Sequence, residues 1–205
     1  MQKIMFNDRY GLTRAVIDGR KTMTRRLIHR EFFTLTWDIR GNTLVYENAC
    51  GDFIDIRDSK YCPYKVGDVV AVAQSYQDAG FGFASFMYGY IASEKRMRVG
   101  SCDEFAGWGN KMFVHAYIMP HQIRITDVRC ERLQDISDSE CLREGVQYIE
   151  ELGVYYFERP DREEGFYFDF DSPRAAFASL IDKISGKGTW KSNPWVIVYE
   201  FELVK

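Results

Sequence analysis

The chain has 205 residues, 46% of them hydrophobic, and a formal net charge of −3, enough to bury one substantial core. That slight acidity works against broad, non-specific nucleic-acid binding, which needs an extended basic face, but does not exclude a small focused site. The longest apolar runs, "VVAVA" (69–73) and "WVIVY" (195–199), fall far short of the ~20 residues that span a bilayer.

The first ten residues carry no long apolar run, so neither a signal peptide nor a membrane anchor is expected, and the expected location is cytoplasmic. Five cysteines, odd in number and widely spaced, form no C-x-x-C, and the three histidines form no ligand pair. We therefore expect reduced thiols in or near a core, no metal and no cofactor.

In chain order, "KIMF" reads as a short strand. Asn7 or Asp8 then caps a helix through "RYGLTRAVID", and Gly19 ends it in a left-handed C′ conformation. "FFTLTWDIRGNTLVYE" alternates and turns at Gly41-Asn42, a hairpin signal. "YKVGDVVAVAQSY" turns at Gly67-Asp68 into a nearly continuous apolar strand, with Gln74 and Tyr76 expected on one face of it. "FASFMYGYIAS" is a further strand candidate, followed by a loop over 94–110. "HQIRITDVRCERL" alternates as a strand, and "ISDSECLREGV" is a helix with a Ser137/Glu140 capping box and a Gly145 stop. Residues 150–171 hold eight Asp or Glu against two Arg and read as a solvated loop or hairpin. "DSPRAAFASLIDKISG" is the last helix, with Pro173 in its first turn, and "NPWVIVYEFELV" the last strand.

Strands separated by three short helices, without β-α-β alternation, imply an α+β fold on a mixed or antiparallel sheet, such as a small β-barrel with helices covering its ends. One domain spanning 1–205 is expected, with loop insertions near 77–112 and 150–171.

The stretch "DGRKTMTRR" crowds Lys21, Arg25 and Arg26 into one turn. If it runs extended, Thr22, Thr24 and Arg26 share one face and Lys21, Met23 and Arg25 the other. Such crowding is tolerated when the cations are solvated, neutralised by carboxylates, or bound to an anion such as phosphate.

These segments, together with "MPHQIRITDVRCERLQDISDSECLREGV" and "FASLIDKISGKGTWKSNPWVIVYEFELV", resemble the ASCH domain family of the PUA-like superfamily, in particular its phage and prophage branch. The G-x-K-x-x-x-x-R signature of that family is met by Gly19, Lys21 and Arg26. The resemblance implies a PUA-like barrel with a cleft that receives RNA or a nucleotide. It also implies, for some small members, an amidohydrolase acting on N4-acylated cytidine, with Thr as nucleophile, Lys as base and Glu as proton donor. Lys21 and Thr24 take the first two places; the third falls at Gln74, which transfers no proton but hydrogen-bonds a base edge.

The candidate contacts are thus Gly19, Lys21, Arg25, Arg26, Gln74 and Tyr76, the last as a stacking ring, and the candidate catalytic set is Lys21, Thr24 and Gln74. Three readings stay open. The first and preferred one is a binding module for RNA, a nucleotide or a modified nucleoside. The second is a hydrolase, either an acylcytidine amidohydrolase or an RNA-cleaving enzyme. The third is an accessory phage protein that acts through protein partners.

Overall fold

The computed structural model describes residues 1–28, 35–38, 43–48, 50–82, 106–158 and 170–204. Its strands are β1 (Lys3–Ile4), β2 (Met23–Leu27), β3 (Leu35–Asp38), β4 (Thr43–Glu47), β5 (Phe53–Asp55), β6 (Val69–Val72), β7 (Gln122–Arg132), β8 (Gln147–Ile149), β9 (Val154–Tyr156) and β10 (Trp195–Leu203). The helices are α1 (Leu12–Ile17), α2 (Asp138–Arg143), α3 (Pro173–Ser185) and α4 (Thr189–Ser192). The fold is α+β, with a mixed five-stranded sheet in the order β1-β6-β7-β10-β2, parallel at β1–β6 and antiparallel at β10–β2. Among the described strands this order ends at β1 and β2 and does not close into the expected barrel. No helix of the described residues is long and apolar enough to cross a membrane.

The chain divides into two compact units. The first comprises Met1–Phe6, Val69–Ile123 and Val204–Lys205; the second comprises Asn7–Asp68 and Arg124–Leu203. In the first, Ala71 of β6 and Ala73 just beyond it pack with Tyr76, Val114 and Met119 into one cluster. In the second, Met23 of β2 and Val196 and Val198 of β10 meet Cys141 of α2 and Ala176, Phe177 and Ile181 of α3. Burying each large apolar side chain there contributes about 1.5–3 kcal/mol.

Local chemistry sets the element ends. The Asn7 side chain accepts from the Arg9 amide, and Gly11 at φ 64 turns the chain from the 3-10 turn Asp8–Tyr10 into α1. Ser137 and Glu140 form the expected reciprocal capping box on α2, and the Ser172 side chain accepts from Ala175 N–H ahead of Pro173 at the start of α3. The expected hairpin pairs β3 with β4, in register Leu35 to Tyr46 through Asp38 to Thr43, and β5 adds to its far edge. Its turn at Gly41-Asn42, the strand candidate "FASFMYGYIAS" and most of the 94–110 loop lie outside the described residues. In the acidic segment, β8 and β9 form a short antiparallel hairpin just before and within 150–171, and residues 159–169 lie outside the described set.

One expectation fails locally. β6 stops at Val72, so Gln74 and Tyr76 are not on a strand and their two-residue spacing does not give them a common face. The chain leaves the ladder because Ser75 starts a turn, with its hydroxyl accepting from Asp78 N–H and its carbonyl from Ala79 N–H.

Candidate functional site

In the second unit, α1 gives way at Asp18 to Gly19 (φ 74), whose N–H donates to the Val16 carbonyl. A Cβ at Gly19 would meet nothing within 4 Å, so glycine is favoured there by the backbone angle alone. Two residues on, Lys21 N–H donates to the Ala15 carbonyl, which folds the turn back on the helix and sends the side chain inward. Gly145 at φ 109 lets the α2 terminus approach; a Cβ there would sit 3.1 Å from Leu12 Cδ2 and 3.8 Å from Lys21 Cδ.

The ammonium of Lys21 is buried and donates to Glu144 twice, to Oε2 at 2.5 Å and to the carbonyl at 2.7 Å. Burial pulls the Lys21 pKa below the ordinary lysine value. The charge and hydrogen bond of Glu144 oppose this, while Arg26 and Arg25 push it further down.

β2 then alternates as expected. Met23 and Arg25 face the helices, opposite Glu200 and Val198, and Thr24 and Arg26 face the other way, opposite Tyr199 and Ile197. The Arg25 side chain is 1% exposed, and its guanidinium donates to Glu131 (2.6 and 3.0 Å), Glu140 (3.2 Å) and Glu144 (3.2 Å). Arg25 is therefore an internal cation locked by carboxylates, not a solvent-facing phosphate contact. The same carboxylates reach further: Glu131 and Glu140 also accept from Arg129, which donates to Glu200, and Glu200 accepts from Arg143. Burial favours the neutral acid for Glu140, but donors from Ser137 and the charges of Arg25 and Arg129 hold its pKa below the usual carboxylate value. Glu200 is likewise held low, against burial, by hydrogen bonds from Arg143 and Arg129.

The opposite face of β2 is chemically different. Thr24 is buried and lies across from Tyr199, whose ring meets that of Tyr64 edge-on at 5.3 Å and whose hydroxyl donates to Cys62 Sγ at 3.4 Å. Arg26 keeps an exposed surface, yet burial is the main cause lowering its pKa, opposed by Tyr64, Glu144 and Tyr199. Reciprocally, burial raises the Tyr64 pKa and Arg26 lowers it. Arg26, Thr24 and half-buried Tyr64 thus combine a charged donor, a hydroxyl and an aromatic ring on one face.

Gln74 and Tyr76 belong to the first unit. Gln74 is buried with its Oε1 2.7 Å from His121 Nδ1, so its amide oxygen is committed to that imidazole. Tyr76 is 2% exposed, its hydroxyl accepts from His115 N–H at 3.0 Å, and a Cβ on Gly107 would come within 2.5 Å of its ring. It is a core residue here, with no ring surface left for a base to stack on. Trp190 and Trp195 are structural as well: Trp190 packs edge-on against Phe177 at 6.2 Å, and the Arg132 guanidinium lies 4.2 Å from the Trp195 ring centroid.

Sequence reasoning missed Glu144 and Tyr64. Glu144 comes after helix α2 as one more acidic residue in a polar run, and nothing local marks it as the partner of a lysine 123 positions earlier. Tyr64 precedes the "VGD" turn and carries only the generic signal of an aromatic before a strand. Among the described residues no group of three or more His, Cys, Asp or Glu could hold a metal ion. Comparison with protein-family models, curated proteins and solved structures finds no match.

Proposed function

We propose that the chain is a PUA-like, ASCH-type binding module that takes RNA, a nucleotide or a modified nucleoside at the outer face of β2. The observation that carries this reading is the division of the basic cluster. Lys21 and Arg25 are neutralised inside by Glu144, Glu140 and Glu131, whereas Arg26 stays solvent-exposed beside Tyr64 and Thr24. Arg26 contacts phosphate and Tyr64 offers a ring edge or face to the base. The buried Lys21–Glu144 pair fixes the turn that holds Arg26 in place.

A hydrolase reading draws on one observation, the lowered pKa of Lys21, since a general base must be neutral to accept a proton. Against it, Glu144 at 2.5 Å stabilises the protonated ammonium, and Gln74 supplies no acid. Binding is tested by calorimetric titration with cytidine monophosphate. A charge-assisted hydrogen bond contributes about 1.5–3 kcal/mol, so Arg26→Ala is expected to weaken binding roughly 10- to 150-fold. Unchanged affinity in Arg26→Ala, or no binding of either the monophosphate or a short oligonucleotide by the wild type, would contradict the proposal.

A further inference from the structure

A second group of aromatic and cationic side chains lies in the same unit, next in sequence to Tyr64. After the 3-10 turn Ile56–Asp58, Ser59 anchors the chain: its hydroxyl donates to the Ile56 carbonyl at 2.6 Å and accepts from Tyr61 N–H at 3.1 Å, and its carbonyl accepts from Cys62 N–H. Cys62 is 1% exposed, and Pro63 fixes the next φ. Tyr61 and Tyr64 are therefore held on one short, restrained piece of chain, no more than about 10 Å apart along the backbone.

Tyr61 has its own surroundings. Its ring meets that of Tyr46 on β4 edge-on at 6.2 Å, and exposed Lys60 places its ammonium 5.3 Å from the Tyr61 centroid. Both tyrosines are half-buried. Of the other nearby cations, Arg57 is held by Asp55 at 2.6 Å and Lys65 lies 3.7 Å from Asp58, so Lys60 is the cation set at the Tyr61 ring.

Resting on the binding reading above, we propose that the occupant is a single-stranded nucleic acid of at least two nucleotides, not a free nucleotide. One nucleotide takes Arg26 and Tyr64, and its neighbour stacks on Tyr61, backed by Tyr46, with Lys60 near its phosphate. Aromatic platforms beside point charges are how single strands are held without sequence preference, because every base has a π-face. A mononucleotide fills only one of the two positions, whereas a strand linking both gains from the second contact being intramolecular.

The test is fluorescence anisotropy with a labelled hexauridine RNA, the matching DNA hexamer, and competition by uridine monophosphate. The hexamer is expected to bind at least about tenfold more tightly than the monophosphate, and Tyr61→Ala to weaken hexamer binding roughly 5- to 150-fold. Lys60→Ala, at an exposed position, weakens it too and keeps the test valid if Tyr61→Ala fails to fold. Equal binding of the DNA hexamer supports the single-strand form of the proposal; a preference for RNA supports it and adds a contact to the 2′-hydroxyl. If hexamer and monophosphate bind equally, or if both substitutions leave hexamer affinity unchanged while Arg26→Ala weakens it, this inference is overturned and the binding reading stands. If neither ligand binds the wild type, both fall.

Discussion

Replacing Glu144 by Gln leaves two cations without their shared counter-charge. The Lys21, Arg25 and Glu144 side chains are 2%, 1% and 5% exposed, so solvent does not take over the lost interaction. Arg25 retains Glu131 and Glu140, whereas Lys21 loses its carboxylate and keeps the Glu144 carbonyl, an uncharged acceptor. Breaking a buried pair from one side costs about 3–5 kcal/mol, a large share of a typical total of about 5–15 kcal/mol. For a chain of this size that corresponds to a fall in Tm of roughly 6–20 °C.

The loss carries a pH signature. Without Glu144 the Lys21 pKa drops further, since burial, Arg26 and Arg25 still act on it. A folded-state pKa below the unfolded value means that the unfolded chain binds more protons between the two. The variant's stability deficit therefore shrinks as pH rises from the variant's folded pKa to the wild type's, which itself lies below the ordinary lysine value. Urea unfolding followed by tryptophan fluorescence at pH 7 and at pH 9.5 measures both effects, and Glu144→Gln combined with Lys21→Met should recover about 0.5–3 kcal/mol. A cost below about 1 kcal/mol with no pH dependence would refute the buried ion pair as the anchor of the turn.

Other expectations arise from the same network and its surroundings. Glu200 has a depressed pKa in the folded state, so its stabilising contribution is present above the ordinary glutamate range and is lost as pH falls through the folded value. The stability difference between wild type and Glu200→Gln should therefore be largest near pH 7 and shrink as pH falls below the ordinary glutamate range, and a constant difference would contradict this. Burial pushes the thiols of Cys130 and Cys141 up to about 12 and raises that of Cys62. Among the four described cysteines exposed Cys50 should thus react first with a disulfide reagent, as mass spectrometry of a timed labelling series would report.

The ends of α2 and the start of α3 were legible in the sequence because each is set by a local chemical device, the Ser137/Glu140 box with Gly145 and Ser172 with Pro173, as was the left-handed Gly19 after α1; the start of α1 was not, because Gly11 at φ 64 splits the expected helix and Asn7 caps only the 3-10 turn Asp8–Tyr10. β7 and β10 were legible because long alternation or a long apolar run leaves few alternatives. The end of β6 was not, since "VVAVAQSY" continues in pattern beyond the point where the Ser75 turn takes the backbone. Within the site, the crowding of Lys21, Arg25 and Arg26 and their alternation along β2 could be read directly. The answer to that crowding could not be read. The carboxylates that neutralise Arg25 lie 106 to 119 positions along the chain, and only the fold brings them to β2. The same long-range pairing turned Arg25 from a candidate phosphate contact into an internal cation and left Arg26 as the solvent-facing one.

Under the proposed binding function the β2 turn holds a ligand and does not cleave it. The most direct measurement is chromatographic assay of N4-acetylcytidine incubated with the wild-type chain and with Lys21→Ala and Thr24→Ala. No turnover above the uncatalysed rate is expected from any of the three. Turnover by the wild type that either substitution abolishes would contradict the claim and make Lys21 and Thr24 a catalytic pair.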